Sequence, residues 1–155
     1  MDRLVLRLRG LSSPTSSPAK RARMLDVVKA VAEPVDVSTC SGRPNGYARC
    51  VLHEDPTGWS LAAIVLRPGQ STPAHDHGGW GGAVTVNGVE RDRRFSASAG
   101  SNLKLLAERD YPPGTGYLFS SDDIHQPAGV HAERATVALH FLASSHVEHE
   151  QHLHE

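Results

Sequence analysis

His75 and His77 stand two residues apart in PGQSTPAHDHGGWGG. On an extended segment residues i and i+2 project from one face. Both imidazoles can therefore enter a barrel interior while Asp76 points the other way. Side chains about 6–7 Å apart along a strand can close on one cation held about 2 Å from each nitrogen. An H-x-H pair alone is a weak signal, because surface histidines pair by chance. It gains weight from a third histidine after a later strand and turn, and His125 in PPGTGYLFSSDDIHQPAG is that residue. Asp122 and Asp123 beside it read as a polar turn, and His53 and His131 as surface residues. His140 lies between Leu139 and Phe141 in an apolar strand, where a buried polar group needs a partner. It is either a satisfied core histidine or a group next to the metal.

The elements that must position these residues are legible from patterning. Ser17 suits a helix N-cap, with Pro18 in the first turn. Met24, Val27, Val28 and Val31 follow at i, i+3, i+4, i+7, an apolar stripe that Pro34 ends. Lys20, Arg21 and Arg23 read as its solvated face. After residue 45 come short β-prone runs: GYARCVLHE, WSLAAIVLR, GAVTVNGVERDRRF, LKLLAE, GYLF and RATVALHFLA. Val86-Asn87-Gly88-Val89 is a hairpin signal. Many short strands between turn signals predict a mainly β fold, an antiparallel barrel or sandwich of jelly-roll type with a short N-terminal helix.

Length and composition set outer limits. With 155 residues the chain fits one domain. The expected division is an extension and linker over 1–17, one domain over 18–145, and a His-rich tail over 146–155. That tail holds His146, His149, His152 and His154. It reads either as a metal-scavenging segment or, with greater weight, as a frayed end. Lys and Arg total 16 against 17 Asp and Glu, a balance that argues against nucleic acid as partner. No apolar run approaches the roughly 20 residues of a membrane span. Met1–Gly10 lacks the apolar stretch of a signal peptide, and Cys40 and Cys50 are too few for a disulfide framework. The expected location is the cytoplasm. Oligomeric state leaves no mark in the sequence.

With these residues in view, a family resemblance applies. PGQSTPAHDHGGWGGAVTVNG is similar to the first cupin motif, G-x5-H-x-H-x3,4-E-x6-G, with Gly69, His75, His77 and Gly88 at its positions. PPGTGYLFSSDDIHQPAG resembles the second motif. Gly81 stands where most cupins carry a metal-binding Glu, and a three-His cupin without that Glu resembles the thiol dioxygenases acting on cysteine or 3-mercaptopropionate. GYARCVLHE resembles the strand bearing their substrate-binding Arg, here Arg49, with Tyr47 on the same face. VALHFLA resembles the strand of their catalytic second-layer His, here His140. Where that family reads Ser-x-His-x-Tyr, this chain reads Ala138, His140, Leu142, so the last-strand Tyr is absent. Tyr47 and Tyr117 are the candidates for a phenol from another strand. The resemblance covers roughly residues 46–145.

The resemblance implies Fe(II) on His75, His77 and His125, with nickel or zinc as possible substitutes, since imidazole suits all three. It implies a small thiol and O2 as substrates and a sulfinate product. Arg49 would clamp a carboxylate through paired hydrogen bonds, with Tyr47 assisting, and Trp80 is expected at the pocket rim among Gly78, Gly79, Gly81 and Gly82. Two other functions stay open: a cupin that oxidises the thiol further or cleaves a neighbouring bond, and one that binds metal or a small ligand without turnover.

Overall fold

The computed structural model describes residues 6–8, 17–31, 35, 37, 38, 40, 46–97, 102–144 and 151–154. Helix α1 spans Pro18–Val31. Its start is the expected one: Ser17 Oγ accepts from the Lys20 amide at 3.4 Å, and the Ser17 carbonyl takes the Arg21 amide. Pro34 lies outside the described residues. Among the described residues no helix is long and apolar enough to cross a membrane.

Ten strands follow: β1 (Ala48–Asp55), β2 (Trp59–Leu66), β3 (Ala74–His77), β4 (Gly79–Asn87), β5 (Glu90–Ala97), β6 (Leu103–Tyr111), β7 (Gly116–Phe119), β8 (Ile124–Gly129), β9 (Thr136–Ser144) and β10 (Gln151–His154). They form two five-stranded antiparallel sheets, ordered β1-β2-β9-β4-β7 and β10-β3-β8-β5-β6. This is the expected jelly-roll sandwich with a leading helix. The β4–β5 hairpin turns at Gly88, whose φ is 71°. That left-handed conformation is open to glycine without steric cost, and a Cβ there would crowd Thr136.

Strand alternation splits the first sheet into two environments. On its outer face Trp59, Leu61, Ala63, Trp80, Val84, Leu139, Phe141 and Ala143 pack with Leu8 and with Met24, Leu25 and Val28 of α1. This is the main apolar core. The inner face, toward the second sheet, carries a smaller cluster of Ala83, Tyr117 and Phe119 with Tyr111 and Leu142 against it. The buried polar side chains His75, His77, Glu90, Asp92 and His125 belong to the second sheet.

Two features differ from expectation. Cys40 and Cys50 form a disulfide with Cα atoms 5.5 Å apart, which ties the segment before β1 to that edge strand. Two cysteines suffice for one such tie even without a framework. Disulfides persist in oxidising surroundings, so the cysteine count no longer argues for the cytoplasm. Residues 151–154 of the His-rich tail, expected to fray, pair with β3 instead. Leu153 falls in register with His75 and Gln151 with His77, while His152 and His154 align with Asp76 and Ala74. The unpaired edge of a strand is a ready template for such an addition.

Candidate metal centre

His75 and His77 alternate with Asp76 along β3, and His125 sits opposite His75 on the adjacent strand β8. The three side chains converge inside the sandwich, all buried. One donor atom from each lies within 4.8 Å of the others, and among the described residues this is the group able to hold a metal ion.

Each ring is oriented by what its other nitrogen does. His75 Nδ1 donates to the Pro73 carbonyl at 2.9 Å, leaving Nε2 as a lone pair. His125 Nδ1 donates to Asp92 Oδ1 at 2.9 Å, so its Nε2 also carries a lone pair. A carboxylate behind a ligating imidazole is the usual way a protein fixes tautomer and raises ligand basicity. Asp92 is held in turn by Arg94 Nε. The Arg94 guanidinium also donates to Asp123 Oδ2 at 2.8 Å and to the Leu118 carbonyl at 3.0 Å. His77 Nε2 lies 3.0 Å from His125 Nε2. Two donors about 2.1 Å from one ion and at right angles to each other lie about 3 Å apart, so this spacing fits a shared cation.

The electrostatics of His75 and His125 favour the neutral ring that metal ligation requires. Burial lowers the pKa of His75, with His140 adding to the effect. Burial lowers that of His125 far more, helped by His75 and His140. Burial raises the Asp92 carboxyl, with Arg94 working against it.

Gly81 faces this interior, in register with Phe119 and Leu142. A Cβ at Gly81 would collide with the Phe141 carbonyl and the Phe119 ring. The space that a side chain at position 81 would need is thus filled by Phe119, which stacks on His77. Three neutral imidazoles with an aromatic wall leave a bound divalent cation with its whole charge.

His140 lies on the inner face of β9, and its Nε2 is 3.0 Å from Glu90 Oε2. A proton on it would disfavour one on His75 and on His125, so it is a histidine paired with a buried carboxyl close to the ligands. Arg49 is exposed on edge strand β1, in register with Ile64 and through it with Ala138. It therefore shares the face of His140, at the rim. Tyr47, half-buried, precedes the same strand. Trp80 is elsewhere. On β4 it alternates with Gly81, and the indole takes the outer face, 3% exposed, edge-on to Phe141 and under the Arg21 guanidinium. It fills the core between sheet and helix and does not reach the centre, because only one of two successive residues can point inward.

His131 accepts two backbone amides in its turn, and His53 stacks on Trp59 beside Asp55. Neither approaches the centre. Sequence reasoning missed Glu90, Asp92, Arg94 and Phe119. The alternation of Glu90, Asp92 and Arg94 just after Gly88 was the available signal, masked by charges at Arg91 and Arg93. Between the edges of β6 and β7, under α1, a cavity of about 730 Å³ reaches Asp92, Arg94, Tyr111 and Tyr117 from behind His125.

No family model matches the sequence. Solved structures similar to the chain share its fold at low identity. An oxalate oxidase in complex with the substrate analogue glycolate has TM-score 0.55 and 19% identity, over 71% of this chain and 58% of its own. A cupin superfamily protein from Desulfitobacterium hafniense has TM-score 0.53 and 13% identity, over 74% and 96%. An oxalate decarboxylase from Lactobacillus farciminis has TM-score 0.58 and 11% identity, over 76% and 34%. The matched region spans little more than half the oxalate oxidase and a third of the decarboxylase. Fold and site together define a cupin-type sandwich with a three-histidine cluster fit for a divalent metal. At these identities the likeness extends to the fold alone.

Proposed function

We propose that this protein is a metal-dependent thiol dioxygenase, adding both atoms of O2 to the sulfur of cysteine or a similar small carboxylate-bearing thiol. The observation that carries the reading is the ligand set: three neutral imidazoles, with Phe119 excluding a carboxylate from the fourth position. An uncompensated divalent charge in a buried site favours an anionic ligand, and a thiol becomes one on losing its proton. When bound, the metal, Fe(II) in this proposal, would lower the thiol pKa and mediate electron transfer from sulfur to O2.

The protein's own groups do the rest. His75, His77 and His125 hold the metal, and Asp92 keeps His125 in its ligating tautomer. Phe119 excludes water and anionic side chains on one side. Arg49, at the rim on the face of His140, receives the substrate carboxylate, with Tyr47 beside it.

The test is O2 uptake by Fe(II)-loaded protein offered cysteine, 3-mercaptopropionate and cysteamine separately, with products identified by mass. Uptake with a product heavier by two oxygen atoms supports the proposal, and the preferred thiol reports on Arg49. A different oxidised product moves the reading to further oxidation or bond cleavage. No uptake with one metal bound per chain leaves a cupin that binds metal or ligand without turnover.

A further inference from the structure

Glu90 is a carboxyl buried deep in the sandwich interior. It is fully buried, on β5 two residues before Asp92, and an ionised carboxyl stripped of water is destabilising unless paired. It is only half provided for. Oε2 takes His140 Nε2 at 3.0 Å, while Oε1 has no hydrogen-bond partner. The buried Tyr117 hydroxyl faces it: burial pushes the phenol well up, and Glu90 adds to this by its charge and by a hydrogen-bonding approach, although no fully formed bond joins the two groups. Two of the metal-ligating residues are oriented without Glu90: His75 by Pro73 and His125 by Asp92.

What Glu90 does engage is one nitrogen of His140. An ionised carboxylate only accepts hydrogen bonds, and opposite such a group His140 Nε2 is the donor. Nδ1 is then the lone pair, and it makes no hydrogen bond to any described residue. The ring is largely buried on the inner face of β9, the face turned toward the histidine centre. It is a base aimed by a buried acid, the arrangement by which proteins orient a proton-accepting histidine.

We propose that Glu90 is a positioning residue that holds His140 with Nδ1 open as the proton acceptor for a ligand entering the three-histidine centre. Resting on the thiol reading above, the step is a proton transfer. The S–H bond breaks, its electron pair stays on sulfur as thiolate, and the proton moves to Nδ1. The resulting imidazolium stays paired with Glu90, nothing is oxidised or reduced, and the proton remains in the protein.

Two measurements on the full chain decide this. Ring 15N shifts of His140 at neutral pH, in metal-free and zinc-loaded protein, should show the proton on Nε2 alone. A proton on Nδ1, or on both nitrogens, overturns the proposal whatever the substrate is. The second is a proton count. Zinc-loaded protein is titrated with 3-mercaptopropionate and with cysteine in two buffers of different protonation enthalpy. Wild type should release almost no proton, and Glu90→Gln about one per thiol bound, because the uncharged partner no longer supports the imidazolium. Unchanged zinc stoichiometry in Glu90→Gln shows that the centre is intact. Equal release by both proteins overturns the proposal. Absence of thiol binding to either would overturn the thiol reading alone, and the ring-nitrogen result would still decide the role of Glu90.

Discussion

The Phe119 ring lies against the His77 imidazole with centroids 4.5 Å apart and planes 21° from parallel, in the space that any side chain at position 81 would need. Gly81→Ala should therefore destabilise the protein by overpacking, by about 1–3 kcal/mol. Adding Phe119→Ala should recover only part of the loss, since the Phe141 carbonyl still blocks the Cβ. Urea denaturation of the two variants and wild type measures this; full recovery would place the whole conflict in the ring.

Asp92 tests the centre from behind. Asp92→Asn keeps the shape but weakens the hold on His125, and loss of such a partner typically lowers metal affinity by about 10–100-fold. Zinc competition against a chromophoric chelator reads the change. His125→Ala should abolish the site in the same assay.

The pH dependence of the metal-free protein follows from His75 and His125. Their pKa values are lower in the folded state. Below about pH 6.5, the ordinary histidine value, the unfolded chain takes up protons that the folded chain refuses. Stability is thus fully present above that pH and falls as the pH drops toward the folded values. Asp92, with its raised carboxyl, works the other way, its contribution being full below the ordinary carboxylate value and lost as the pH rises through its folded one. Melting temperatures should decline from pH 7 to pH 5, and saturating zinc should raise the midpoint at pH 7. A flat profile would mean that these rings carry no burial penalty.

Arg49→Ala distinguishes clamp from bystander. If the guanidinium holds the substrate carboxylate, the KM for cysteine or 3-mercaptopropionate should rise by about 10–100-fold, the value of a charged hydrogen-bonded pair at about 1.5–3 kcal/mol. For cysteamine, which lacks the carboxylate, it should hardly move. Equal effects on both kinds of thiol remove Arg49 from the site.

Trp80→Ala makes the opposite point. Its indole belongs to the core against Phe141, and such truncations cost about 3–5 kcal/mol. Zinc affinity of the folded fraction should be unchanged. A lower affinity at full folding would return Trp80 to the pocket.

What the sequence made legible has a physical reason. Ser17, the helix stripe, the Asn87-Gly88 turn and the H-x-H spacing are local signals, each set within a few residues. Bringing His125 to His75 required only that both strands belong to one sheet. The face of Trp80 was hidden because its neighbours are glycines, which carry no polarity to break the tie between two sides of a strand. Glu90, Asp92 and Arg94 were hidden for the opposite reason: in ERDRRF every position but the last is charged, so alternation has no contrast. The tail strand depends on an edge elsewhere in the fold, which no window of sequence contains.

The division of the first sheet into an apolar outer face on α1 and an inner face toward the histidines separates what keeps the chain folded from what it does. Ala83, Ala138 and Leu142 point inward from strands whose alternate residues anchor the core. A change at these inward-pointing positions is felt first on the inner face, while the alternate residues of the same strands stay fastened to α1 from behind.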